Sequence, residues 1–384
     1  MFDIRPMRLL IEALVIIGAV EAALMSLLPL ALPHATDVVR TILDTVLLTV
    51  ITAPLLIWRF TRANALAHPE ALAVNQQGDA SRNWPLVTAA FGILASVGAT
   101  YWTYSKVQAD AQVRFDNLVT RLETDVRIQF EQPLDGLNGM AGLFHAMPTM
   151  NRQAFRAYWT GRDFSQEFPG VRSVGAMQRV LRTDLTQFEA AQRRDGQPDF
   201  TIKTRGDRPQ MYVVNYMASR DNSSVSLGID ANSEPVRHAA LARAVLTGQK
   251  TLSGVINLTP RNGVTPQGAL YLMPLYQRNA AIETPEQRER ALQVVLYSSL
   301  VIDDLMALPV SNTNGLLAFD LLDTTDHLAD ATLAPAVYRT QALEPSLSPL
   351  QPQWEEARML EIGGRSFSLR ARSTPAFEST LEGA

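Results

Sequence analysis

Apolar residues in the first hundred positions are grouped into three stretches, at 9–32, 39–58 and 84–104. Each stretch has roughly the 20 residues that a helix needs to cross the hydrocarbon core of a bilayer. Two glutamates interrupt the first stretch, whereas the third has no charged residue. The pattern predicts a transmembrane region at 1–104 with three spans. The alternative is that the first two stretches form an interfacial or re-entrant hairpin and that the third alone is the anchor.

The arginines near these stretches predict an orientation. Arg5 and Arg8 precede the first stretch, and Arg59, Arg62 and Arg82 lie between the second and the third. Basic residues in short loops favour the cytoplasmic side of a membrane. Three crossings then place the rest of the chain outside. The sequence therefore predicts a multi-pass protein of a bacterial inner membrane whose larger part is periplasmic or extracellular.

Residues 105–147 have the pattern of an amphipathic helix. Their apolar residues recur three, four or seven positions apart, which is the spacing of one helical face. The residues are Phe115, Leu118, Leu122, Val126, Phe130, Leu137 and Phe144. We predict a long stalk helix, with a kink or a second helix start at Pro133, since proline removes a backbone donor. The apolar stripe needs a partner, either the following domain or the same helix of a second copy, and we predict a homodimer through the stalk.

Beyond Met150, short helical patterns alternate with short strand patterns. This alternation is typical of a globular α+β region. The predicted fold class is α+β, with N-terminal transmembrane helices, a long stalk helix and two PAS-like antiparallel-sheet subdomains. We place a membrane-distal, ligand-binding subdomain at 148–290 and a membrane-proximal subdomain at 291–376.

Composition excludes several classes of function. The 384 residues carry a net charge of −4, which argues against nucleic-acid binding, and the absence of cysteine excludes disulfides and thiolate metal sites. The chain contains no GxSxG, HExxH, GxxxxGK[ST] or GxGxxG motif. A group of acidic residues around His327 lacks the spacing of a metal site and is interpreted as a solvated loop. We predict no enzyme activity, no cofactor and no metal ion.

Six features in a fixed order indicate a family. They are Phe155 and Trp159; Phe168-Pro169-Gly170-Val171; Gly175 to Val180; Leu227-Gly228-Ile229-Asp230; Arg237 with Ala244 and Thr247-Gly248; and Tyr271 to Tyr276. Together they resemble the CHASE domain, the extracellular sensor of plant cytokinin receptors and of many bacterial histidine kinases and diguanylate cyclases. The resemblance covers about 110–330 and implies a long helix followed by two PAS-like subdomains.

The resemblance also implies a ligand site. In cytokinin-binding members, an acid after a Leu-Gly-x pattern and a leucine 22 residues later contact the ligand, and Asp230 and Leu252 occupy these positions. We expect Tyr212, Tyr216 and Tyr271 on strands that face the same cavity, where phenols can hydrogen-bond a ligand. The alternative for Asp230 is a loop-capping role before Ser233. The alternative for Leu252 and the tyrosines is a place in the core.

These features predict a membrane receptor's sensor region, which binds a small ligand and transmits a helix shift across the membrane. The ligand is expected to be adenine-like or another small organic molecule. We expect the output domain, a kinase or cyclase, to lie outside this chain. The alternative is a membrane-tethered docking or dimerisation module without a small ligand. A sensor requires an enclosed pocket, whereas a docking module requires a filled core and an exposed apolar patch.

Overall fold

The structure is a computed structural model with an α+β architecture and two antiparallel sheets. The residues that it describes are 14–26, 44, 47–48, 51–52, 55–56, 59, 84–147, 150–221, 223–260, 263–327, 333–340 and 353–382. The chain divides into two compact units, one of Met1–Arg114 with Glu378–Ala384 and one of Phe115–Phe377.

The first unit corrects the predicted transmembrane helices. In the part of the chain that the structure describes, no helix is both long and apolar enough to cross a membrane. The apolar stretch at 84–104 is one end of a helix that continues through charged residues to Glu131. Of the stretch at 9–32, residues 14–26 are described as helical, and the stretch at 39–58 lies mostly outside the described residues. The prediction of N-terminal transmembrane helices was therefore wrong.

Nine helices are described with defined bounds, besides two short 3₁₀ turns at Arg182–Asp184 and Ala231–Ser233. They are α1 (Trp84–Glu131), α2 (Pro133–Ala146), α3 (Arg152–Thr160), α4 (Phe164–Glu167), α5 (Leu185–Arg194), α6 (Pro235–Thr247), α7 (Pro285–Ala291), α8 (Ile302–Asn312) and α9 (Pro375–Glu382). Pro133 is the first residue of α2. Proline fits this position because a backbone N–H there has no partner within the helix.

The first sheet has the strand order β2-β1-β6-β5-β3, and β4 pairs with β5 beside β3. Its strands are β1 (Val171–Leu181), β2 (Gln210–Ser219), β3 (Thr251–Leu252), β4 (Ile256–Asn257), β5 (Gln267–Tyr276) and β6 (Leu292–Val301). Helix α6 covers one face, where Leu241, Ala244 and Val245 are buried together with Leu272 and Val295. This hydrophobic core holds α6 in place against the sheet.

The second sheet has the strand order β8-β7-β10-β9. Its strands are β7 (Leu317–Asp323), β8 (Ala336–Arg339), β9 (Glu355–Ile362) and β10 (Arg365–Ser373). β9 and β10 form a hairpin whose turn is Gly363-Gly364, and both glycines have positive φ. The sheets divide after Val301, because β6 lies inside the first sheet and β7 begins the second.

The apolar stripe of α1 and α2 packs inside the second unit. Of the seven predicted stripe residues, all but Leu118 are buried. Phe115 makes an edge contact with Phe377, and Phe130 stacks on Phe367 of β10. The stripe therefore finds its partner in the domain of the same chain.

Candidate ligand-binding site

A bulge in β2 decides which side chains share a face of the first sheet. Met177 pairs with Val214 and Ala176 pairs with Tyr216, so Asn215 is an extra residue on β2. An extra residue shifts the alternation of side chains by one position. Val214 therefore shares the α6 face with Met217, while Tyr216 lies on the opposite face.

A partly open cavity of about 50 Å³ lies on the α6 face. We call it the arginine cavity, and its polar and charged lining residues are Arg172, Ser173, Ser219, Asp221, Ser223, Ser226, Arg237, Thr259, Tyr297 and Ser299. The apolar lining residues are Met177, Val214, Met217, Val225, Ile229, Ala231, Leu258 and Leu270. All four long strands of the sheet contribute, so a rigid scaffold positions the lining.

The segment after β2 covers the cavity. The Ser219 hydroxyl donates to the carbonyl of Ser223 over 2.9 Å, and the hydroxyls of Ser226 and Thr259 are 3.1 Å apart. These bonds tie the covering segment to the end of β2 and to the loop after β4.

Arg237 lies in the first turn of α6. Glu234 caps this helix by accepting from the backbone N–H groups of Val236 and Arg237. The Arg237 guanidinium donates through Nη2 to the carbonyl of Asn257 over 3.2 Å, while its Nε is 3.9 Å from the Glu234 carboxylate. Burial lowers the pKa of Arg237, against the opposing charge of Glu234. The guanidinium is thus held at the cavity with part of its donor capacity unused.

Tyr297 reaches the cavity because β1 carries a glycine opposite it. A Cβ at Gly175 would lie 2.7 Å from the Tyr297 ring and would also collide with the carbonyl of Tyr216. Burial raises the pKa of the Tyr297 phenol above its ordinary range, against smaller effects of the Ser173 hydroxyl and the Arg237 charge. The phenol is therefore a neutral hydrogen-bond donor at physiological pH.

Arg172 lies at a second irregularity. Val171 pairs with Leu300 and Ser173 pairs with Ser299, so Arg172 has no partner on β6. This gives its side chain a different direction from that of a regular strand residue.

The arginine cavity concentrates unsatisfied donors. Among the described residues, Arg172 Nη1, Arg237 Nε and the Tyr297 hydroxyl are buried and have no hydrogen-bond partner. The Ser173 hydroxyl is already 2.6 Å from that of Ser299. Buried polar groups without partners are costly, so a cluster of three indicates a place for a ligand or ordered water.

The Asp230 carboxylate accepts hydrogen bonds from neighbouring groups of the same chain. Its Oδ1 accepts from the backbone N–H of Tyr212 at 3.0 Å and of Asn232 at 2.9 Å, and its Oδ2 accepts from the Thr204 hydroxyl at 2.7 Å. The residue is 1% exposed. Its carboxylate caps the turn that precedes α6, as the loop-capping alternative expects. A ligand contact of Asp230 stays a prediction.

Leu252 and Tyr271 pair across β3 and β5. The Leu252 N–H donates to the carbonyl of Gly363 over 2.8 Å, and the Leu252 carbonyl accepts from Arg243 Nη2 over 2.9 Å. Burial, followed by the charge of Glu131, raises the pKa of Tyr271 to about 12. Both residues lie beside the β9–β10 hairpin and not among the lining residues of the arginine cavity.

Tyr212 and Tyr216 lie in two different places. The Tyr216 hydroxyl has two acceptors within reach of its one hydrogen, the Met150 carbonyl at 2.9 Å and Asp195 Oδ2 at 3.1 Å, and its ring stacks on Phe155. Tyr212 lines a larger, more open groove near His238 instead. The structure thus does not bring the five predicted site residues together in one described cavity.

Sequence reasoning did not select Arg172, Arg237 or Tyr297 as site residues. Arg237 was one of the family features, but no ligand role was assigned to it. A signal for Arg172 does exist, because an arginine stands inside the mostly apolar run Val171 to Met177. No comparable signal marks Tyr297, since a tyrosine in a buried strand is usually part of the core.

Metal binding finds no support in the described residues, where no group of three potential ligands is close enough to hold an ion. The acidic group around His327 instead includes two ion pairs. Asp323 pairs with Arg365, and Asp320 pairs with Arg372 at 3.0 Å.

Comparison with known protein families identifies a domain in this part of the chain. The family model of the CHASE domain matches residues 148–333. This match includes every residue that lines the arginine cavity. No curated protein matches the chain.

Proposed function

Because residues 148–333 belong to the CHASE domain family, a sensor domain of receptors, we propose that a small ligand binds in the arginine cavity and that this binding is the sensed signal. The carrying observation is the group of three buried donors without partners, on Arg172, Arg237 and Tyr297. A ligand that accepts hydrogen bonds from them removes an energetic cost of the empty domain. A CHASE domain is a sensor and not a catalytic domain, so no reaction is assigned to this chain.

Helix α6 offers a route for the signal. Arg237 is at the cavity, and Arg243, on the same helix, donates to the carbonyl of Leu252 and, over 3.4 Å, to that of Gly364. A displacement of α6 by a ligand would therefore act on the β9–β10 hairpin. Strand β10 carries Phe367, which stacks on Phe130 of α1. We propose that the shift reaches α1 through these contacts.

The proposal also covers the location of the receptor, its output and its dimerisation. Members of this family serve receptors that detect ligands outside the cytoplasm, so we propose a periplasmic or extracellular location in a bacterial signalling receptor. The output would be a histidine kinase or a diguanylate cyclase. A homodimer along α1 would use the helix face that carries Ile128, which is exposed, since the apolar stripe is buried.

Thermal unfolding of the purified full chain tests ligand binding. The compounds would be adenine derivatives, amino acids, short organic acids and neutral polyols. A ligand at 100 times its dissociation constant adds about 2.7 kcal/mol to the free energy of unfolding. The variant Ala231→Leu adds volume at a cavity-lining residue and should abolish the shift. Thr259→Leu does the same from the cover, which keeps the test valid if the first variant unfolds.

The result decides between a sensor and the docking module. A shift in the wild type that both variants lose supports the sensor. If no compound raises the melting temperature and the filled variants melt like the wild type, the cavity has no ligand role. The interior around Asp230 and Leu252 is filled, which a docking module also expects, and that alternative would then be preferred.

A further inference from the structure

The donors of the arginine cavity specify the charge of its occupant. We infer that the ligand is a small organic carboxylate, held by Arg172, Arg237 and the Tyr297 hydroxyl. This inference rests on the proposed function, because it names the chemical class of ligand for the same cavity.

The guanidinium groups at the cavity favour an anion. Two guanidinium groups and one carboxylate, Asp221, line it, and Asp221 Oδ1 already accepts from the backbone N–H of Ser223. Glu234, beside Arg237, caps the helix and keeps its negative charge, so two carboxylates balance the two guanidinium groups. Arg172 Nη1 and Arg237 Nε nevertheless have no hydrogen-bond acceptor. An anionic ligand would accept from both in a place where charge interactions are weakly screened.

The unused polar atoms are all donors. Arg172 Nη1, Arg237 Nε and the Tyr297 hydroxyl each have a hydrogen to give. A carboxylate supplies only acceptors, with two oxygens that match the planar fork of a guanidinium. A neutral amide or alcohol would bring donors of its own, whereas the three atoms without partners need acceptors. The hydroxyls of Ser173 and Ser299 are engaged with each other.

The size and the apolar wall of the cavity restrict the organic part of the ligand. A cavity of about 50 Å³ has room for roughly four water-sized groups. Met177, Leu258 and Leu270 supply an apolar wall. A two- or three-carbon carboxylate such as acetate or propionate satisfies both the donors and the wall. An adenine ring requires a much larger space than this cavity offers.

Titration of the full chain with acetate and propionate tests the inference directly, with acetamide and propionamide as neutral counterparts of the same shape. Ionic strength is held constant with sodium chloride, and sulfate and inorganic phosphate are included as inorganic anions. Binding is followed by calorimetry and by the melting temperature. We expect the carboxylates to bind and raise the melting temperature, with the amides at least about 10-fold weaker.

Variants locate the contacts. Arg172→Gln and Arg237→Gln should each weaken carboxylate binding about 10-fold or more. Arg237→Lys keeps the charge without the planar fork and should fall between wild type and Arg237→Gln. Arg205→Gln, at an exposed arginine outside the cavity, is the matched control and should bind within about 2-fold of the wild type.

Tyr297→Phe separates binding from folding. Its hydroxyl has no partner without ligand, so the empty variant should melt at or above the wild-type temperature while carboxylate binding weakens. Tyr216→Phe loses the hydrogen bond that the hydroxyl donates to the Met150 carbonyl or Asp195 and should melt lower. A Tyr297→Phe chain that binds like the wild type would remove that contact from the inference.

The outcomes separate this inference from the proposed function. If amides bind as well as carboxylates, or if the arginine variants bind carboxylates normally, the inference of a carboxylate ligand is wrong. Binding of sulfate or phosphate with equal affinity also contradicts it, since the site is then a general anion site. If a neutral compound stabilises the wild type but not Ala231→Leu, the inference of a carboxylate is wrong, while the proposal of a small-ligand sensor is supported. Absence of binding by every compound overturns both.

Discussion

The Leu252 backbone N–H donates to the carbonyl of Gly363 over 2.8 Å and so joins the first sheet to the hairpin turn of the second. Leu252 is 1% exposed, and its partner Tyr271 lies against the same turn. Backbone bonds of this kind hold the two sheets in a fixed relation because they do not depend on flexible side chains. The proposed signal from α6 passes through this contact.

Gly363→Ala should destabilise the chain by about 2–4 kcal/mol. A Cβ there would lie 2.7 Å from the Leu252 Cβ and 2.9 Å from the Tyr271 hydroxyl, and the residue has φ of 57°. The cost combines the strain of a left-handed conformation with overpacking between the sheets. Urea unfolding monitored by circular dichroism measures it.

Gly364→Ala is the control for this contact. Gly364 also has positive φ, at 73°, but a Cβ there would meet nothing within 4 Å. It should therefore lose only about 1–2 kcal/mol from the backbone strain. Equal losses in both variants would mean that the turn conformation, and not the contact between the sheets, carries the effect.

Asp230→Ala should lower the free energy of unfolding by about 3–5 kcal/mol in the absence of any ligand. The substitution leaves the N–H groups of Tyr212 and Asn232 and the hydroxyl of Thr204 without their acceptor. Thermal unfolding of the purified chain shows the change. Asp199→Ala, at an exposed aspartate, should change the stability by less than about 0.5 kcal/mol. An Asp230→Ala chain that melts normally would contradict the capping role and revive a ligand contact.

Tyr271 should make the chain lose stability at high pH. Burial and Glu131 raise its pKa from 10.0 to about 12, so the folded state keeps the phenol protonated where the unfolded chain ionises. The contribution is fully present below pH ~10 and is lost as the pH rises towards the folded pKa, by up to about 2–3 kcal/mol. Urea unfolding at two pH values on either side of this window measures the loss.

Comparison with Tyr271→Phe isolates this residue, because other buried tyrosines act in the same direction. The variant should lose less stability between the two pH values than the wild type. Tyr101→Phe, at a tyrosine that is 73% exposed, should behave like the wild type. A Tyr271→Phe chain with an unchanged pH dependence would show that this phenol does not titrate with folding.

Local signals in the sequence were sufficient for much of the fold. Proline at 133 begins α2, as predicted, and the Gly363-Gly364 pair forms the turn of a hairpin. The alternating helical and strand patterns beyond Met150 predicted an α+β region, and two antiparallel sheets are present there. These features depend on short-range chemistry, such as a missing backbone donor or a tolerated positive φ. The resemblance to the CHASE domain, which rests on several such features in order, was confirmed for residues 148–333.

Features that depend on distant residues were not predictable. The alternation of β2 placed Tyr212 and Tyr216 on one face, but the bulge at Asn215 results from the pairing with β1 and separates them. The spacing of Asp230 fitted both a ligand contact and a cap, and only the position of Thr204 and Tyr212 shows what the carboxylate accepts. The prediction of transmembrane helices was wrong, and the hydropathy pattern did not reveal that the helix from Trp84 continues through charged residues to Glu131.

The extra residue in β2 shifts the alternation of the side chains that face α6. Up to Val214, the residues with even numbers face α6; beyond Asn215, the residues with odd numbers do, beginning with Met217. A one-residue deletion at Asn215 would restore the regular alternation, because Val214, Tyr216 and Met217 would then follow one another opposite three consecutive residues of β1. Tyr216 and Met217 would keep their present faces. The bulge therefore adds a residue to β2 without changing which of its side chains line the cavity.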